Sequence, residues 1–322
     1  MAVYTEVSDE DLTRFVAEYD IGTVVSCKGI AEGVENSNFL LQTSRATFIL
    51  TLYERRVKVD DLPYFLGLME HLARAGIACP IPLQGRDGRM LRTLCDRPAT
   101  IVTFLTGMSA KRVLPAQCRA LGGILAQLHR AGQDYPKARR NTLSVHDWRP
   151  LFKAEEGRID SVLPGLADEI RRELDHLESR WPAALPEGVI HADLFPDNVF
   201  FRDDHLSGVI DFYFSCTDFL AYDIAICLNA WCFEDDGAFN ITKAQHLVSA
   251  YGAIRPLSPE EKTALPLLAR GAAIRFLLTR LYDWFNTPAG VFVKPKNPLE
   301  YVRKMRFHRT AQHPEAYGII AA

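Results

Sequence analysis

The chain of 322 residues lacks the paired cysteine spacing that a disulfide framework or a zinc site needs. Its seven cysteines are an odd number, and no two of them form a C-x-x-C pair. Secreted disulfide scaffolds and zinc ribbons depend on such paired spacing. We therefore expect free, mostly buried thiols and a reducing compartment.

The sequence also lacks a long apolar run and a strong charge of either sign. No apolar stretch approaches the length of about 18 residues that a membrane span needs, and polar residues stand where a signal peptide would be apolar. The net charge of −3 gives no general attraction for nucleic acid or anionic membranes. With 48% apolar and 24% charged residues, the composition is that of an ordinary globular protein. We expect a cytoplasmic protein that binds neither nucleic acid nor membrane.

The most informative stretch is a predicted β-hairpin in the second half of the chain. Two runs rich in β-branched and aromatic residues, Val199–Phe201 and Gly208–Ile210, flank the polar turn Asp203-Asp204. That pattern is typical of two antiparallel strands. The residues just before the first strand and just after the second should therefore meet at one end of the hairpin.

Those two ends carry acidic and amide side chains. His191, Asp193 and Asn198 precede the first strand with the spacing H-x-D-x-x-x-x-N, and Asp211 follows the second. A carboxylate can accept a proton from an attacking hydroxyl, and amide and carboxylate oxygens are ligands that Mg²⁺ prefers. Asp193 is thus a candidate catalytic base, and Asn198 and Asp211 are candidate Mg²⁺ ligands that also take part in catalysis.

The rest of the chain divides into a strand-rich part and a helical part. Apolar patterns predict a helix at 61–75, helices from Pro115 onward, and the strands Gly22–Lys28, Asn38–Gln42, Thr47–Tyr53, Met90–Cys95 and Thr100–Leu105. In the second part we predict helices at 159–181 and 270–285, and a helix start at Ser258.

The loop and the hairpin resemble the aminoglycoside phosphotransferase and choline kinase superfamily, whose members phosphorylate small molecules with ATP. The resemblance implies an α+β, bilobal, protein-kinase-like fold. Its small lobe, residues 1–105, would hold a five-stranded antiparallel sheet and one main helix, and its larger, mostly helical lobe, 106–322, the catalytic loop and the acceptor site.

The resemblance also implies where ATP binds. The stretch from Gly29 through Gly33 to Ser37 would cover the phosphates, because glycines allow backbone N–H groups to approach closely. The adenine edge would bond the backbone of the interlobe hinge, Thr103 to Leu105.

The sequence departs from kinases of this fold at one conspicuous place. They usually carry a lysine on the third strand, paired with a glutamate on the following helix. Here Thr51 stands at the lysine position and Phe65 near the glutamate position. The glycine of the D-F-G motif is likewise replaced, by Tyr213. Joint loss of both charges is physically coherent, since either one alone would be an uncompensated buried charge.

Within the superfamily, the segments G-I-A-E-G-V-E-N-S-N-F, F-I-L-T-L-Y-E, R-L-Y-D-W and P-L-E-Y resemble bacterial homoserine kinases. This implies L-homoserine as the acceptor, with Arg275, Arg280 and Asp283 available for its carboxylate and ammonium groups. A choline or amino alcohol kinase, with an aromatic cage, is the alternative. An ATP-binding pseudokinase is a third possibility, and the sequence leaves the oligomeric state open.

The predicted base gives a first test. Asp193→Asn should lower kcat by about 10²–10⁴ while ATP affinity changes little, because the proton acceptor is lost and the nucleotide contacts remain. Steady-state kinetics with separate ATP titrations would measure both. A variant that keeps more than half of the wild-type turnover would rule out Asp193 as the base.

Overall fold

The computed structural model describes residues 5–30, 36–54, 57–287 and 295–319. The chain forms two compact units. The first comprises Met1–Gly107 and Ser207–Tyr213, and the second comprises Met108–Leu206 and Phe214–Ala322. The division predicted between residues 105 and 106 places the whole hairpin in the second part. The structure instead joins the end of the hairpin to the first unit.

The first unit is built on an antiparallel sheet. Its elements are helix α1 (Asp9–Ala17), strands β1 (Val24–Gly29), β2 (Asn36–Thr43) and β3 (Thr47–Tyr53), helix α2 (Leu62–Arg74), and strands β4 (Arg92–Leu94) and β5 (Arg97–Thr103). The strands lie in the order β1–β2–β3–β5–β4, and neighbours pair antiparallel. Among the described residues, the predicted five-stranded sheet with one main helix is confirmed.

The two faces of strand β3 have different surroundings, because side chains alternate along a strand. Leu50 and Leu52 are fully buried in a core that also contains Phe15 of helix α1. Thr51 and Tyr53 point away from that core, and they too are buried. The strand is therefore covered on both faces, with a polar hydroxyl and a phenol on the face opposite α1.

The second unit is mostly helical. Its helices are α3 (Pro115–Gly132), α4 (Val145–Ile159), α5 (Leu166–Arg180), α6 (Leu220–Trp231), α7 (Ile241–Ile254), α8 (Pro259–Asn286) and α9 (Leu299–Thr310). Within the described part of the chain, the remaining strands are β6 (Met108–Ser109), β7 (Glu187–Ile190), β8 (Val199–Arg202), β9 (His205–Val209) and β10 (Cys216–Phe219). Strands β7 and β10 pair antiparallel, and β6, β8 and β9 form a second small sheet. No described helix has the length and apolar character that crossing a membrane requires.

Two helix predictions need correction. The helix predicted at 159–181 begins later than expected, because α4 ends at Ile159 and α5 covers only Leu166–Arg180. Gly165 between them has φ of +78°, a left-handed conformation that breaks a helix. The helix predicted from Arg270 begins earlier, at Pro259, where the predicted cap is present: the Ser258 hydroxyl accepts from the Glu261 N–H at 3.2 Å.

The predicted hairpin is present, with strands β8 and β9 joined by Asp203 and Asp204. Both turn residues have positive φ, +49° and +62°, as a two-residue hairpin turn matching the strand twist requires. The end of β9 is tied to the first unit, since the Val209 N–H donates to the Ala78 carbonyl at 2.9 Å. A Cβ atom on Gly208 would lie 2.7 Å from the Leu105 side chain, so this approach depends on glycine.

Adjacent glycines on α3 allow a controlled test of packing. A Cβ atom on Gly122 would lie 2.0 Å from the Leu247 carbonyl oxygen of α7, whereas one on Gly123 would meet nothing closer than 3.9 Å. Gly122→Ala should therefore lower the free energy of unfolding by about 1–3 kcal/mol through overpacking. Gly123→Ala should raise it by up to about 1 kcal/mol through helix propensity. Urea denaturation would measure both, and equal effects of the two substitutions would contradict this packing.

Candidate active site

The predicted catalytic loop connects β7 to β8, and its backbone is strained at Ala192. This residue has φ of +64°, although it has a Cβ atom and is buried. A left-handed conformation at such a residue costs about 1–2 kcal/mol. The surrounding side chains must therefore hold the loop in place.

The carboxylate of Asp223, on α6, holds the N–H side of the loop. It accepts from the backbone N–H of His191 at 2.7 Å and from that of Ala192 at 2.9 Å. It also contacts Nε2 of His129 at 3.1 Å, and Nδ1 of His129 lies 2.8 Å from the Tyr251 hydroxyl. All of these side chains are fully buried, so the carboxylate exchanges water for a complete set of protein hydrogen bonds.

These hydrogen bonds also decide the ionisation of Asp223. Burial by itself would raise the pKa of this carboxyl, but the hydrogen bond from His129 and the nearby histidines, with the His191 N–H, lower it below its ordinary value. Asp223 is therefore ionised at neutral pH and able to accept both loop N–H groups.

Arg275, on α8, holds the carbonyl side of the same peptide. Its Nη1 donates to the Ala192 carbonyl at 2.6 Å, and the residue is only 2% exposed. The sequence analysis assigned Arg275 to the acceptor carboxylate. Because its guanidinium is buried against the loop backbone, we interpret it as a loop-holding residue instead.

The structure brings Asp193 and Asn198 together. The amide nitrogen of Asn198 donates to the Asp193 carbonyl at 2.8 Å and lies 3.2 Å from the Asp193 carboxylate. This orients the amide nitrogen toward Asp193 and the amide oxygen away from it, which suits Asn198 to a metal-ligand role. Asp193 is half-buried, as a base that must meet a substrate requires.

Asp211 belongs to the first unit and lies two residues after the end of β9. It has φ of +65°, and burial raises the pKa of its carboxyl, although the Tyr213 N–H opposes this by donating to it. A divalent cation would offset the desolvation of such a carboxylate. The Asn198 amide and the Asp211 carboxylate each offer a hard oxygen, the ligand type that Mg²⁺ prefers, and their binding of Mg²⁺ stays a prediction.

The predicted nucleotide residues lie in the first unit. Gly29 ends β1, and Gly33 lies outside the described residues. Ser37 is fully buried, and its hydroxyl donates to Glu54 at 2.7 Å, so any phosphate contact from Ser37 would come from its backbone.

The predicted hinge is partly engaged within the first unit. The Thr103 N–H donates to the Ile81 carbonyl at 3.0 Å, and its hydroxyl accepts from the Ile81 N–H. The Thr103 N–H is thus committed to Ile81, and Leu105 packs against Gly208. Nucleotide binding by these residues stays a prediction.

The other two predicted acceptor residues, Arg280 and Asp283, lie in the last third of α8. Nη1 of Arg280 contacts Glu300 at 2.5 Å and the Asn297 carbonyl at 3.2 Å, and its guanidinium lies 4.4 Å from the centre of the Tyr301 ring. Asp283 is half-buried. The contact of Arg280 with Glu300 joins the R-L-Y-D-W segment to the P-L-E-Y segment, so each motif supplies one half of the same ion pair. The two motifs do not by themselves predict this pairing, because Arg280 and Glu300 lie 20 residues apart and on different helices.

Three aromatic residues of the second unit that would suit a choline cage, Trp231, Tyr282 and Trp284, differ in their exposure. Trp231 is fully buried, and its indole N–H donates to the Leu194 carbonyl at 2.7 Å. Tyr282 and Trp284 are exposed at the end of α8. Trp231 therefore supports the catalytic loop from inside the second unit.

Comparison with known proteins agrees with this arrangement. Residues 26–257 match the model of the phosphotransferase enzyme family. The chain belongs to this family. A homoserine kinase from Rhodospirillum rubrum is 64% identical to the phosphotransferase over 319 residues, which cover 99% of each chain.

Solved structures show the same fold. An amicoumacin kinase in complex with AMP-PNP, Ca²⁺ and Ami has a TM-score of 0.71 at 13% identity, and 95% of each chain is covered. A choline kinase from Cryptosporidium parvum has a TM-score of 0.69 at 15% identity, covering 96% of this phosphotransferase and 99% of that chain. The predicted kinase-like fold is confirmed.

The contacts of Asp223 predict that its substitution lowers both the stability of the fold and the turnover. In Asp223→Asn, the loop N–H groups lose a charged acceptor, so the free energy of unfolding should fall by about 3–5 kcal/mol and kcat by about 10²-fold. The half-buried partner of the exposed Arg140 provides the control: Asp147→Asn should cost about 1 kcal/mol or less. Denaturation and steady-state kinetics would measure these effects, and similar losses in the two variants would contradict the role given to Asp223.

The lowered pKa of the Asp223 carboxyl also predicts how the stability of the fold depends on pH. Because folding lowers the pKa of Asp223, its ionised form stabilises the fold above the ordinary carboxyl pKa of about 3.9. This contribution is lost as the pH falls below that value toward the folded pKa. Between neutral pH and pH values below about 3.9, wild type should therefore lose more stability than Asp223→Asn does.

Proposed function

We propose that the protein is an ATP-dependent kinase that phosphorylates the side-chain hydroxyl of L-homoserine, a step of threonine biosynthesis. The observation that carries the proposal is the 64% identity, over 99% of both chains, to a protein named homoserine kinase. The catalytic-loop geometry supplies the residues that such a reaction needs.

Asp193 is the proton acceptor in this proposal. The hydroxyl oxygen of homoserine attacks the γ-phosphorus of ATP, its proton passes to the Asp193 carboxylate, and the bond from that phosphorus to the bridging oxygen of ADP breaks. Asn198 fixes the carboxylate by donating to it and to the Asp193 carbonyl. Mg²⁺, held by Asn198 and Asp211, would neutralise charge on the phosphate oxygens.

The carboxylate and the ammonium group of homoserine each need a partner of opposite charge in the protein. An unpaired charge in a partly desolvated site costs several kcal/mol. Arg280 is our candidate for the carboxylate. It shares Glu300 with Lys304, whose Nζ donates to the other carboxylate oxygen at 2.6 Å. Because one carboxylate serves two cationic side chains, the charge of Arg280 is only partly neutralised within the protein. Asp283, three residues further along the helix, is the candidate for the ammonium group.

Arg280→Gln should raise the KM for L-homoserine by about 10- to 100-fold, the effect of losing a charged hydrogen bond, while the KM for ATP changes little. The matched control is Glu300→Gln, which removes the same ion pair but keeps the guanidinium. If Arg280 only joins α8 to α9, both variants should behave alike. Steady-state kinetics with L-homoserine as the varied substrate would distinguish these outcomes.

The activity itself is tested by measuring ADP release with a panel of hydroxyl acceptors. We expect L-homoserine to be preferred over choline, ethanolamine and an aminoglycoside. A preference for choline would support the alternative substrate, and the absence of turnover with every acceptor, despite ATP binding, would support a pseudokinase.

A further inference from the structure

The position where kinases of this fold carry a lysine–glutamate pair is occupied here by neutral side chains. Thr51 on β3 is 3% exposed, and its hydroxyl donates to the Asn38 amide oxygen at 2.8 Å. Phe65 on α2 is 1% exposed. An ion pair therefore does not link the strand to the helix at these two positions.

Tyr213 provides a link of a different kind. Its ring meets the ring of Tyr53, on β3, edge-on at 5.3 Å, and the ring of Phe65, on α2, edge-on at 5.7 Å. The hydroxyls of Tyr53 and Tyr213 lie 2.9 Å apart, within hydrogen-bond distance. Edge-on aromatic pairs and a buried hydrogen bond each favour one orientation of the ring.

The same tyrosine lies two residues after Asp211, which is held at a positive φ. Burial raises the pKa of the Asp211 carboxyl, and the Tyr213 N–H acts in the opposite direction. A residue whose side chain is fixed to β3 and α2 thus sets the orientation of a carboxylate two positions earlier. All of these groups lie in the first unit.

We infer that Tyr213 is a positioning residue for the metal-binding carboxylate of Asp211, and that its hydrogen bond to Tyr53 helps to hold that carboxylate ready for Mg²⁺. The inference rests on the proposed function, in which Asp211 is a Mg²⁺ ligand. In kinases that carry the lysine and glutamate, a charged pair connects the third strand to the helix. Here the aromatic contacts and the tyrosine hydroxyls would provide that connection.

The test uses Tyr213→Phe, which keeps the ring and removes the hydroxyl. The measurement is the Mg²⁺ concentration that gives half of the Mg²⁺-dependent rise in the thermal unfolding midpoint in the presence of ADP. The variant should need about 3- to 10-fold more Mg²⁺, corresponding to one lost hydrogen bond. ADP binding with EDTA present should be unchanged, because the inferred effect acts only through the metal ligand.

The control is Tyr19→Phe, the same change at another buried tyrosine of the first unit, in the core with Phe15. It should leave the Mg²⁺ requirement at the wild-type value. If Tyr213→Phe also leaves it there, the inference is wrong. If instead Tyr213→Phe lowers ADP affinity in EDTA as much as in Mg²⁺, the tyrosine acts on general structure and the inference is again wrong.

A second variant covers the case in which Tyr213→Phe does not fold. Tyr53→Phe removes the partner hydroxyl and leaves Tyr213 intact, so it should raise the Mg²⁺ requirement by a similar factor, and an unchanged value would overturn the inference. A measurement on the wild type distinguishes a failure of this inference from a failure of the proposed function. Wild-type protein that binds ADP without any dependence on Mg²⁺ would contradict both.

Discussion

The arrangement of the catalytic loop depends on one strained peptide group that is held from both sides. Ala192 has a left-handed backbone, which by itself costs about 1–2 kcal/mol. Asp223 accepts the N–H groups of His191 and Ala192, and Arg275 donates to the carbonyl of Ala192. Hydrogen bonds to charged groups are each worth about 1.5–3 kcal/mol, enough to offset the strain. The result is a fixed direction for the next residue in the chain, Asp193.

The groups that hold this peptide are themselves supported by a continuous buried network. His129 joins Asp223 to Tyr251, whose hydroxyl accepts from Arg255 at 3.1 Å. Arg255 in turn contacts Glu261 in the first turn of α8. The long helix that carries Arg275 is therefore connected at its start to the same network that it completes in its middle. Such a network is stabilising only when each buried polar group has its partner, which makes the loop sensitive to changes far from it.

The sequence was most informative where structure is local. The spacing of Asp193 and Asn198 and the strand pattern around the Asp203-Asp204 turn predicted the loop and the hairpin, because turn geometry and side-chain alternation depend on neighbouring residues. The role of Arg275 was not predictable in this way, since its partner lies 83 residues earlier in the chain and is a backbone carbonyl. The hydrogen bond from the Ser37 hydroxyl to Glu54 was unpredictable for the same reason. Packing between segments that are distant in the sequence decides which side chains are buried and which partners they have.

The most direct test is to measure separately how Arg275→Gln changes kcat and how it changes KM. If Arg275 holds the loop, kcat should fall by about 10²-fold, because small displacements of a catalytic group are costly, while the KM for L-homoserine stays within about threefold. Arg303→Gln, at an exposed arginine of α9, is the control for loss of charge. A large rise in KM with wild-type kcat would instead show that Arg275 binds the acceptor, and would contradict the two-sided support of Ala192 as the basis of the site.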